Sequence, residues 1–302
     1  MTATMRIGMD IGGTKVEAIA LDDDGNIAGH TRTVTVPGTD GILNTAEGIV
    51  AELARQTGRA PGDFASIGIG IPGQIDRAEG LVRHAYNIGI ESLPLAQLLS
   101  ERVGIPVTVD NDVTAAAIGA AHLMGLDGSV AYLNLGTGLA AGFVIDGHPL
   151  RGAQDVAGEI GHLAIDHLGR PCPCGQFGCL ETVASGSALK RFWPGAGEHP
   201  GPSLLPAIAA GDAEAQAAFD NLVRGAANSV RLIVLTLDPT TIVIGGGLRQ
   251  IGAPLFDAIA RQLDEWSAQS PFLAPLGLSA RVQYLDNDSP AAATGAALAA
   301  IR

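Results

Sequence analysis

Aromatic residues are scarce in this chain of 302 residues, at 4%, and charged residues make up only 16%. Hydrophobic residues reach 47%, which excludes a disordered chain and predicts a core of Ala, Val, Ile and Leu. No uncharged apolar run has the roughly 18 residues that a membrane span needs. The first residues lack the basic region, apolar run and cleavage site of a signal peptide. We therefore expect a cytoplasmic protein without a membrane partner.

Basic residues are also few, since 18 Lys and Arg stand against 31 Asp and Glu, for a net charge of −13. This charge repels the phosphates of nucleic acids, so we expect no nucleic-acid partner. A phosphorylated ligand can still bind locally, through backbone amides and Mg²⁺. The chain has only three cysteines, Cys172, Cys174 and Cys179. An odd and clustered set does not fit a disulfide framework and favours a metal site.

Glycine is abundant by contrast, with 41 residues. A pattern of strand, glycine turn, returning strand and acidic turn occurs near residue 10 and again near residue 135. In a chain long enough for two domains, this approximate repeat predicts two related α/β domains. We place the first at residues 1–117, with a helix at 289–302 packing back on it, and the second at residues 118–288. A Gly-, Pro- and Ser-rich stretch at 192–206 is typical of a surface loop.

Three glycine turns at strand ends are candidate phosphate-binding sites, because glycine lets backbone N–H groups point at an anion without a Cβ in the way. They contain Asp10, Gly12, Gly13, Thr14 and Lys15, then Gly136, Thr137 and Gly138, and finally Gly245, Gly246 and Gly247. Asp10 is a candidate Mg²⁺ ligand, and Thr14 and Thr137 are candidate hydroxyl donors. A single such turn is typical of an ordinary hairpin, and Val16 after Lys15 excludes a Walker P-loop. Three together favour a nucleotide cleft.

Two further groups of residues carry candidate chemistry. Asp110, Asn111 and Asp112 lie between a strand and an Ala-rich helix, where such residues commonly cap the helix. Alternatively, a carboxylate there accepts a proton from a hydroxyl during phosphoryl transfer. One histidine and three cysteines provide a closed tetrahedral zinc set, with free buried thiols as the alternative. The set consists of His162, Cys172, Cys174 and Cys179.

The motif from Asp10 to Lys15 resembles the first phosphate loop of the ROK family, which includes bacterial sugar kinases and repressors of the actin-like ATPase superfamily. Residues 135–138 are similar to the family's second phosphate loop and residues 245–247 to its adenosine loop. Ala140 departs from the pattern, since many members have glycine there. The resemblance covers essentially the whole chain and implies two ribonuclease-H-like α/β domains around a central cleft.

The resemblance also implies residue roles. Asp112 is expected to be the general base and Asn111 a sugar contact, and His162 is expected to bind both zinc and sugar. Asn87, Glu159 and Glu181 match further sugar contacts of the family, and Gly73 is a candidate sugar contact because it follows a strand at the expected cleft wall. The alternatives are ordinary loop structure for Gly73 and Asn87, and solvated loop charges for the two glutamates. Members often have an aromatic residue shortly after that asparagine, where this chain has Ile90.

The implied activity is ATP-dependent phosphorylation of a hexose, with glucose the best match, in a homodimer or homotetramer that uses ATP, Mg²⁺ and a structural Zn²⁺. A kinase for an N-acetylhexosamine or aminosugar (N-acetylglucosamine, N-acetylmannosamine or kanosamine) is an alternative, as is a non-catalytic sugar sensor. Repressors of the family have an N-terminal DNA-binding domain, for which we expect no room before residue 10. The zinc set argues against other actin-like ATPases.

Overall fold

The computed structural model describes residues 4–194, 197 and 201–300, which form two compact units. Of the described residues, the first unit contains 4–126, 148–157 and 290–300, and the second contains 127–147, 158–194, 197 and 201–289. No helix among the described residues combines the length and the apolarity needed to cross a membrane.

The first unit contains a five-stranded sheet and a smaller antiparallel one. The large sheet consists of β1 (Met5–Ile11), β2 (Lys15–Leu21), β3 (Ile27–Val34), β4 (Phe64–Ile71) and β8 (Val107–Asn111). Its order is β3-β2-β1-β4-β8, in which β1 runs antiparallel to β2 and parallel to β4, and β4 runs parallel to β8. The smaller sheet consists of β5 (Gln74–Asp76), β6 (Leu81–Ala85) and β7 (Ile90–Leu93). The carboxyl ends of β1, β4 and β8 therefore meet at one edge.

The helices of this unit are α1 (Thr39–Thr57), α2 (Leu95–Val103), α3 (Asp112–Leu123) and α8 (Ala291–Ala299), and His148–Pro149 forms a short strand, β11. Leu43, Ala46, Val50 and Leu53, whose spacing predicts the buried face of a helix, are all buried in α1. At about 1.5–3 kcal/mol for each large apolar side chain, this face contributes substantially to the stability of the unit.

Helix α8 lies directly on the sheet because small residues meet there. A Cβ on Gly8 would collide with the carbonyl oxygen of Ala293, and one on Gly68 with that of Ala296. The contact surface is thus built from glycine and alanine rather than from large side chains. This close approach explains in part how the chain forms a dense core with so few aromatic residues.

The second unit repeats the topology of the first. It contains β9 (Ser129–Leu135), β10 (Leu139–Ile145), β12 (Thr241–Gly245) and β13 (Val282–Tyr284) in the order β10-β9-β12-β13. Strand β9 is antiparallel to β10 and parallel to β12, as β1 is to β2 and β4. Its helices are α4 (Gly186–Phe192), α5 (Gly201–Ala209), α6 (Ala213–Leu237) and α7 (Ala253–Gln269). The predicted internal repeat is thus visible in the sheets.

The loop predicted at residues 192–206 is wrong in its last part, because residues 201–206 belong to helix α5. Leu204 is completely buried, so its packing outweighs the glycine and proline content that suggested a loop. Residues 195, 196 and 198–200 of this prediction lie outside the described residues.

Candidate functional site

The first glycine turn joins β1 to β2, next to a row of residues at the carboxyl edge of the sheet. Asp10 lies opposite Glu17 on β2 and beside Gly70 on β4, and Gly70 lies beside Asp110 on β8. The turn is closed by the N–H of Gly12, which donates to the carbonyl oxygen of Lys15 at 3.0 Å. Gly13 and Thr14, at its tip, are exposed.

Asp10 is partly buried in a group of carboxylates. Burial raises the pKa of Asp10 to about 7, and the charges of Asp112 and Glu17 add to this rise, while Lys15 opposes it. A cation would relieve the repulsion between these carboxylates, and Mg²⁺ commonly binds through one or two carboxylates together with phosphate oxygens. The donor set therefore fits the predicted Mg²⁺ ligand.

Replacing Asp10 with asparagine should stabilise the fold at neutral and alkaline pH. The unfolded carboxyl loses its proton near 3.8 and the folded one near 7, so ionisation destabilises the folded wild type as pH rises between these values. We expect the free energy of unfolding of Asp10→Asn to exceed that of the wild type by about 2–4 kcal/mol at pH 8, but not at pH 4. Urea unfolding at both pH values, without Mg²⁺ or nucleotide, measures this.

Asp22→Asn is the matched control for that experiment. The pKa of Asp22 is lowered, chiefly by the backbone N–H of Asn26, so its ionised form stabilises the fold at neutral pH. We expect this control to lose stability at pH 8, the opposite direction. Equal stability of Asp10→Asn and the wild type at pH 8 would contradict the assigned environment of Asp10.

Asn111 and Asp112 stand where β8 passes into α3. The side-chain oxygen of Asn111 accepts the N–H groups of Val113 and Thr114, both at 3.0 Å, so Asn111 is the N-cap. Its side-chain nitrogen has no hydrogen-bond partner among the described residues. Capping and contact with a ligand are therefore compatible, because they use different atoms. Asp112 is the first residue of α3 and is partly buried.

Asp110 acts neither as a cap nor as an exposed group. It is only 5% exposed, and its carboxylate accepts a bond from the Nη2 of Arg151 at 2.5 Å. The Nε of Arg77 lies 3.3 Å from the same oxygen, Oδ2. Sequence reasoning missed Arg151 and Arg77, since neither belongs to a motif. The pairing of Asp110 with a residue 41 positions away has no local signal.

The other two predicted sugar contacts in this unit have different surroundings. The side-chain nitrogen of Asn87 lies 3.4 Å from the position that a Cβ on Gly13 would occupy, so Asn87 adjoins the first glycine turn. Gly73 has a φ of +112°, and a Cβ there would lie 2.7 Å from the carbonyl oxygen of Arg83 on β6. Ile90, at the aromatic position of the family, is buried at the start of β7.

In the second unit, two glycine turns adjoin at the carboxyl ends of β9 and β12. Gly136–Gly138 connects β9 to β10, and its carbonyl oxygens accept N–H groups from the first residues of α4. Gly245 ends β12 beside Asn134 of β9. A Cβ on Gly246, whose φ is +83°, would collide with Leu135, so only glycine allows this approach. Gly247 begins a 3₁₀ turn.

Glu159, His162 and Glu181 form a polar cluster beside the second glycine turn. The Nε2 of His162 lies 3.8 Å from Oε2 of Glu159, and its Nδ1 lies 3.8 Å from Oε1 of Glu181. The other carboxylate oxygen of Glu181 is 3.0 Å from the position of a Cβ on Gly138. The structure therefore places two carboxylates and an imidazole next to a candidate phosphate loop.

The two glycines of the Gly-Glu-Ile-Gly-His segment explain its position. A Cβ on Gly158 would collide with the carbonyl oxygen of Ala141, and one on Gly161 with that of Leu139, both on β10. The segment thus packs directly on β10. About half of the Glu159 side chain, 48%, remains exposed, yet partial loss of hydration raises its pKa, with His162 opposing and Glu181 adding to the rise.

His162, Cys172, Cys174 and Cys179 place one ligand atom each within 4.8 Å of one another. The sulfur atoms of Cys174 and Cys179 are 3.7 Å apart, and the sulfur of Cys172 is 3.8 Å from Nδ1 of His162. With Zn–S bonds of about 2.3 Å, two sulfurs at corners of a tetrahedron lie about 3.8 Å apart. The four residues therefore fit a zinc ion.

The thiols differ in their surroundings. The backbone N–H of Gln176 lowers the pKa of Cys174 to about 6, which favours the thiolate that a metal needs. Burial raises the pKa of Cys172 and of Cys179. The thiol of Cys172 lies 3.2 Å from Oε1 of Glu181. The cysteines are therefore in direct contact with the polar cluster of Glu159, His162 and Glu181.

Sequence and structure comparisons found several known proteins that are similar to this chain over most of its length. A glucokinase of Halalkalibacterium halodurans is 33% identical, over 94% of this chain and 91% of that protein. An N-acetyl-D-glucosamine kinase of Escherichia fergusonii is 32% identical, over 86% of this chain and 88% of that protein. The crystal structure of a ROK family glucokinase from Streptomyces griseus, in complex with glucose and AMPPNP, has a TM-score of 0.80 at 32% identity, over 98% of this chain and 99% of that chain.

These similarities confirm the predicted α/β fold class with two ribonuclease-H-like domains. The ROK family model matches residues 6–302. The chain belongs to the ROK family.

Proposed function

We propose that this chain is an ATP-dependent sugar kinase that phosphorylates a hexose, with glucose as the first candidate. The polar cluster of Glu159, His162 and Glu181 beside the second glycine turn carries this proposal. Two carboxylates are suited to accept sugar O–H groups, and the turn offers backbone N–H groups to a phosphate. The glucokinase relatives named above support the same substrate.

The proposed reaction divides its tasks between the chain's residues. The glycine turns bind the nucleotide phosphates through their N–H groups, and Asp10 provides a carboxylate for Mg²⁺. Bound Mg²⁺ would neutralise charge on the phosphates. Asp112 accepts the proton of the sugar hydroxyl. As it does so, the hydroxyl oxygen forms a bond to the γ-phosphorus of ATP, and the bond between that phosphorus and ADP breaks. Asn111 offers its free amide N–H groups to the sugar.

We assign the cluster of His162 and the three cysteines to a structural zinc ion. The types of the four ligands and the short distances between them support this assignment. Zinc would supply a rigid crosslink for the loop at residues 162–179. Four protein ligands leave no open position, so the ion takes no part in the chemistry. Because Nδ1 of His162 faces Cys172, the Nε2 atom remains available beside Glu159.

A kinase for an N-acetylhexosamine is the second candidate, favoured by the similarity to an N-acetyl-D-glucosamine kinase. The replacement of an aromatic residue by Ile90 bears on this choice, since its buried side chain offers no stacking surface to a sugar. Assembly as a homodimer or homotetramer remains a prediction.

The test is an ADP-release assay with MgATP and a panel of glucose, N-acetylglucosamine, N-acetylmannosamine, mannose, fructose and aminoglucose. We expect kcat/KM for glucose to exceed that for each other sugar by at least about tenfold, since a matched polar site discriminates strongly. A higher value for an N-acetylhexosamine would establish the second candidate instead. No turnover on any sugar, with either ATP or polyphosphate as donor, would overturn the kinase assignment.

A further inference from the structure

The first unit contains a nearly buried cluster of one carboxylate and two guanidinium groups. Two nitrogens of Arg151 reach the carboxylate of Asp110, with Nη2 to Oδ2 at 2.5 Å and Nε to Oδ1 at 3.4 Å. The Nε of Arg77 is 3.3 Å from Oδ2. The side chains of Arg77 and Arg151 are 19% and 18% exposed, and that of Asp110 is 7% exposed.

Stability alone is a poor reason for such a cluster. Withdrawing three charged groups from water costs free energy that their mutual attraction only partly restores, and well-packed apolar groups often serve as well or better. A bond from one guanidinium to both oxygens of a carboxylate does, however, define orientation more closely than apolar packing does. The cluster is therefore better explained by what it orients.

Asp110 is the residue directly before Asn111 and Asp112. Its Oδ1 accepts the backbone N–H of Asn111 at 3.0 Å, and Asn111 in turn caps α3 through Val113 and Thr114. The carboxylate that Arg151 grips is thus bonded to the start of the segment that carries the proposed base. A rotation of Asp110 would move the N-cap and the first turn of α3 together.

Arg151 also organises its own segment. Its carbonyl oxygen accepts the N–H of Ala157 at 2.9 Å, which closes a loop over residues 151–157. Along the chain, that loop is followed immediately by Gly158 and Glu159. Arg151 therefore holds Asp110, two residues before Asp112, through its side chain. Through its main chain it closes the loop that precedes Glu159 in the sequence.

We propose that Arg151 is a positioning residue for phosphoryl transfer, which holds Asp110 so that Asn111 and Asp112 keep their orientation toward the sugar hydroxyl. It acts through Asp110 and need not touch the substrate. This inference rests on the proposed sugar kinase activity. Because a misplaced base slows the chemical step more than it weakens nucleotide binding, the expected signature is a selective loss of kcat.

The test compares Arg151→Gln and Arg151→Lys with the wild type. We expect Arg151→Gln to lower kcat about 10- to 100-fold while KM for ATP changes less than threefold. Lysine keeps the charge but reaches only one oxygen, so Arg151→Lys should retain at least about three times the kcat of Arg151→Gln. Arg281→Gln is the control, because Arg281 also bonds an aspartate, Asp238, at 2.5 Å, and its other partners are the carbonyl oxygens of Leu276 and Pro239, which have no proposed role in the site.

A kcat within threefold of the wild type in folded Arg151→Gln, or an equal loss in Arg281→Gln, would overturn the inference. A loss of kcat that merely follows the folded fraction, measured by circular dichroism at the assay temperature, would assign a structural role instead. Should Arg151→Gln not fold, Asp110→Asn replaces it with the same thresholds. A wild type without turnover on any sugar defeats the proposed function itself, and the inference with it.

Discussion

Asp112→Asn is expected to lower kcat for the sugar about 100- to 10,000-fold, the range typical of a lost general base. The amide has nearly the shape of the carboxylate but cannot accept the hydroxyl proton. Its oxygen can still accept the N–H of Val113, as the Oδ1 of Asp112 does at 3.0 Å, so the start of α3 should survive. Steady-state kinetics and calorimetric titration of the sugar should show a large loss of kcat and a sugar Kd within about threefold of the wild type.

Asp212→Asn is the control for effects on helix capping. Asp212 caps α6 by accepting the N–H groups of Glu214 and Ala215, and asparagine caps almost equally well. Because the other oxygen of Asp212 accepts the indole N–H of Trp193 at 2.9 Å, which an amide nitrogen cannot do, this variant should lose some stability but keep its kcat. A near-normal kcat in Asp112→Asn would contradict the role of base, and so would a drop matched by the loss of folded protein.

Glycine turns between strands were predictable from the sequence because they depend on local chemistry. A turn that ends an apolar strand and lacks Cβ atoms is visible as a pattern, and all three turns lie at strand ends as predicted. The same holds for the buried face of α1, whose spacing follows the helical period. The clustering of His162 with the three cysteines was equally predictable, since the cysteines are close in sequence.

Strand β3 was not predictable in this way. It is the edge strand of its sheet, and most of its side chains are exposed, so no alternation of apolar and polar residues marks it. Helix α5 was missed for a related reason, because the burial of Leu204 depends on residues distant in sequence. Local composition predicts the secondary structure of such segments only where tertiary packing does not favour a different one.

The candidate site shows the same division. Asn111 and Asp112 form a recognisable motif, but the contacts of Asp110 with Arg77 and Arg151 join segments 33 and 41 residues away along the chain. The orientation of the His162 ring likewise depends on the fold and not on local sequence. Its Nδ1 lies toward Cys172 and its Nε2 toward Glu159. Residue types reveal candidate chemistry, whereas the partner of each atom follows from topology.

The exposure of the cysteines offers a sharp test of the proposed zinc ion. Cys172 and Cys179 are buried, so replacing either removes packing as well as a ligand. Cys174 is exposed, and an exposed side chain that binds nothing can usually be replaced at a cost within about 0.5 kcal/mol. A large loss of stability in Cys174→Ala would therefore report the lost metal and not a cavity.

Cys174→Ala is expected to lower the free energy of unfolding by at least about 3 kcal/mol, because structural zinc binding contributes directly to folding. Metal analysis should find one zinc per chain in the wild type and much less in the variant. Glu181 contacts Cys172, and Glu159 lies beside His162. Loss of the metal in Cys174→Ala should therefore also lower the affinity for the sugar, by about tenfold or more. His167→Ala, an exposed change in the same loop, should alter none of these. A wild type that contains no zinc, or a Cys174→Ala protein as stable as that control, would instead favour free thiols and remove the metal from the proposed site.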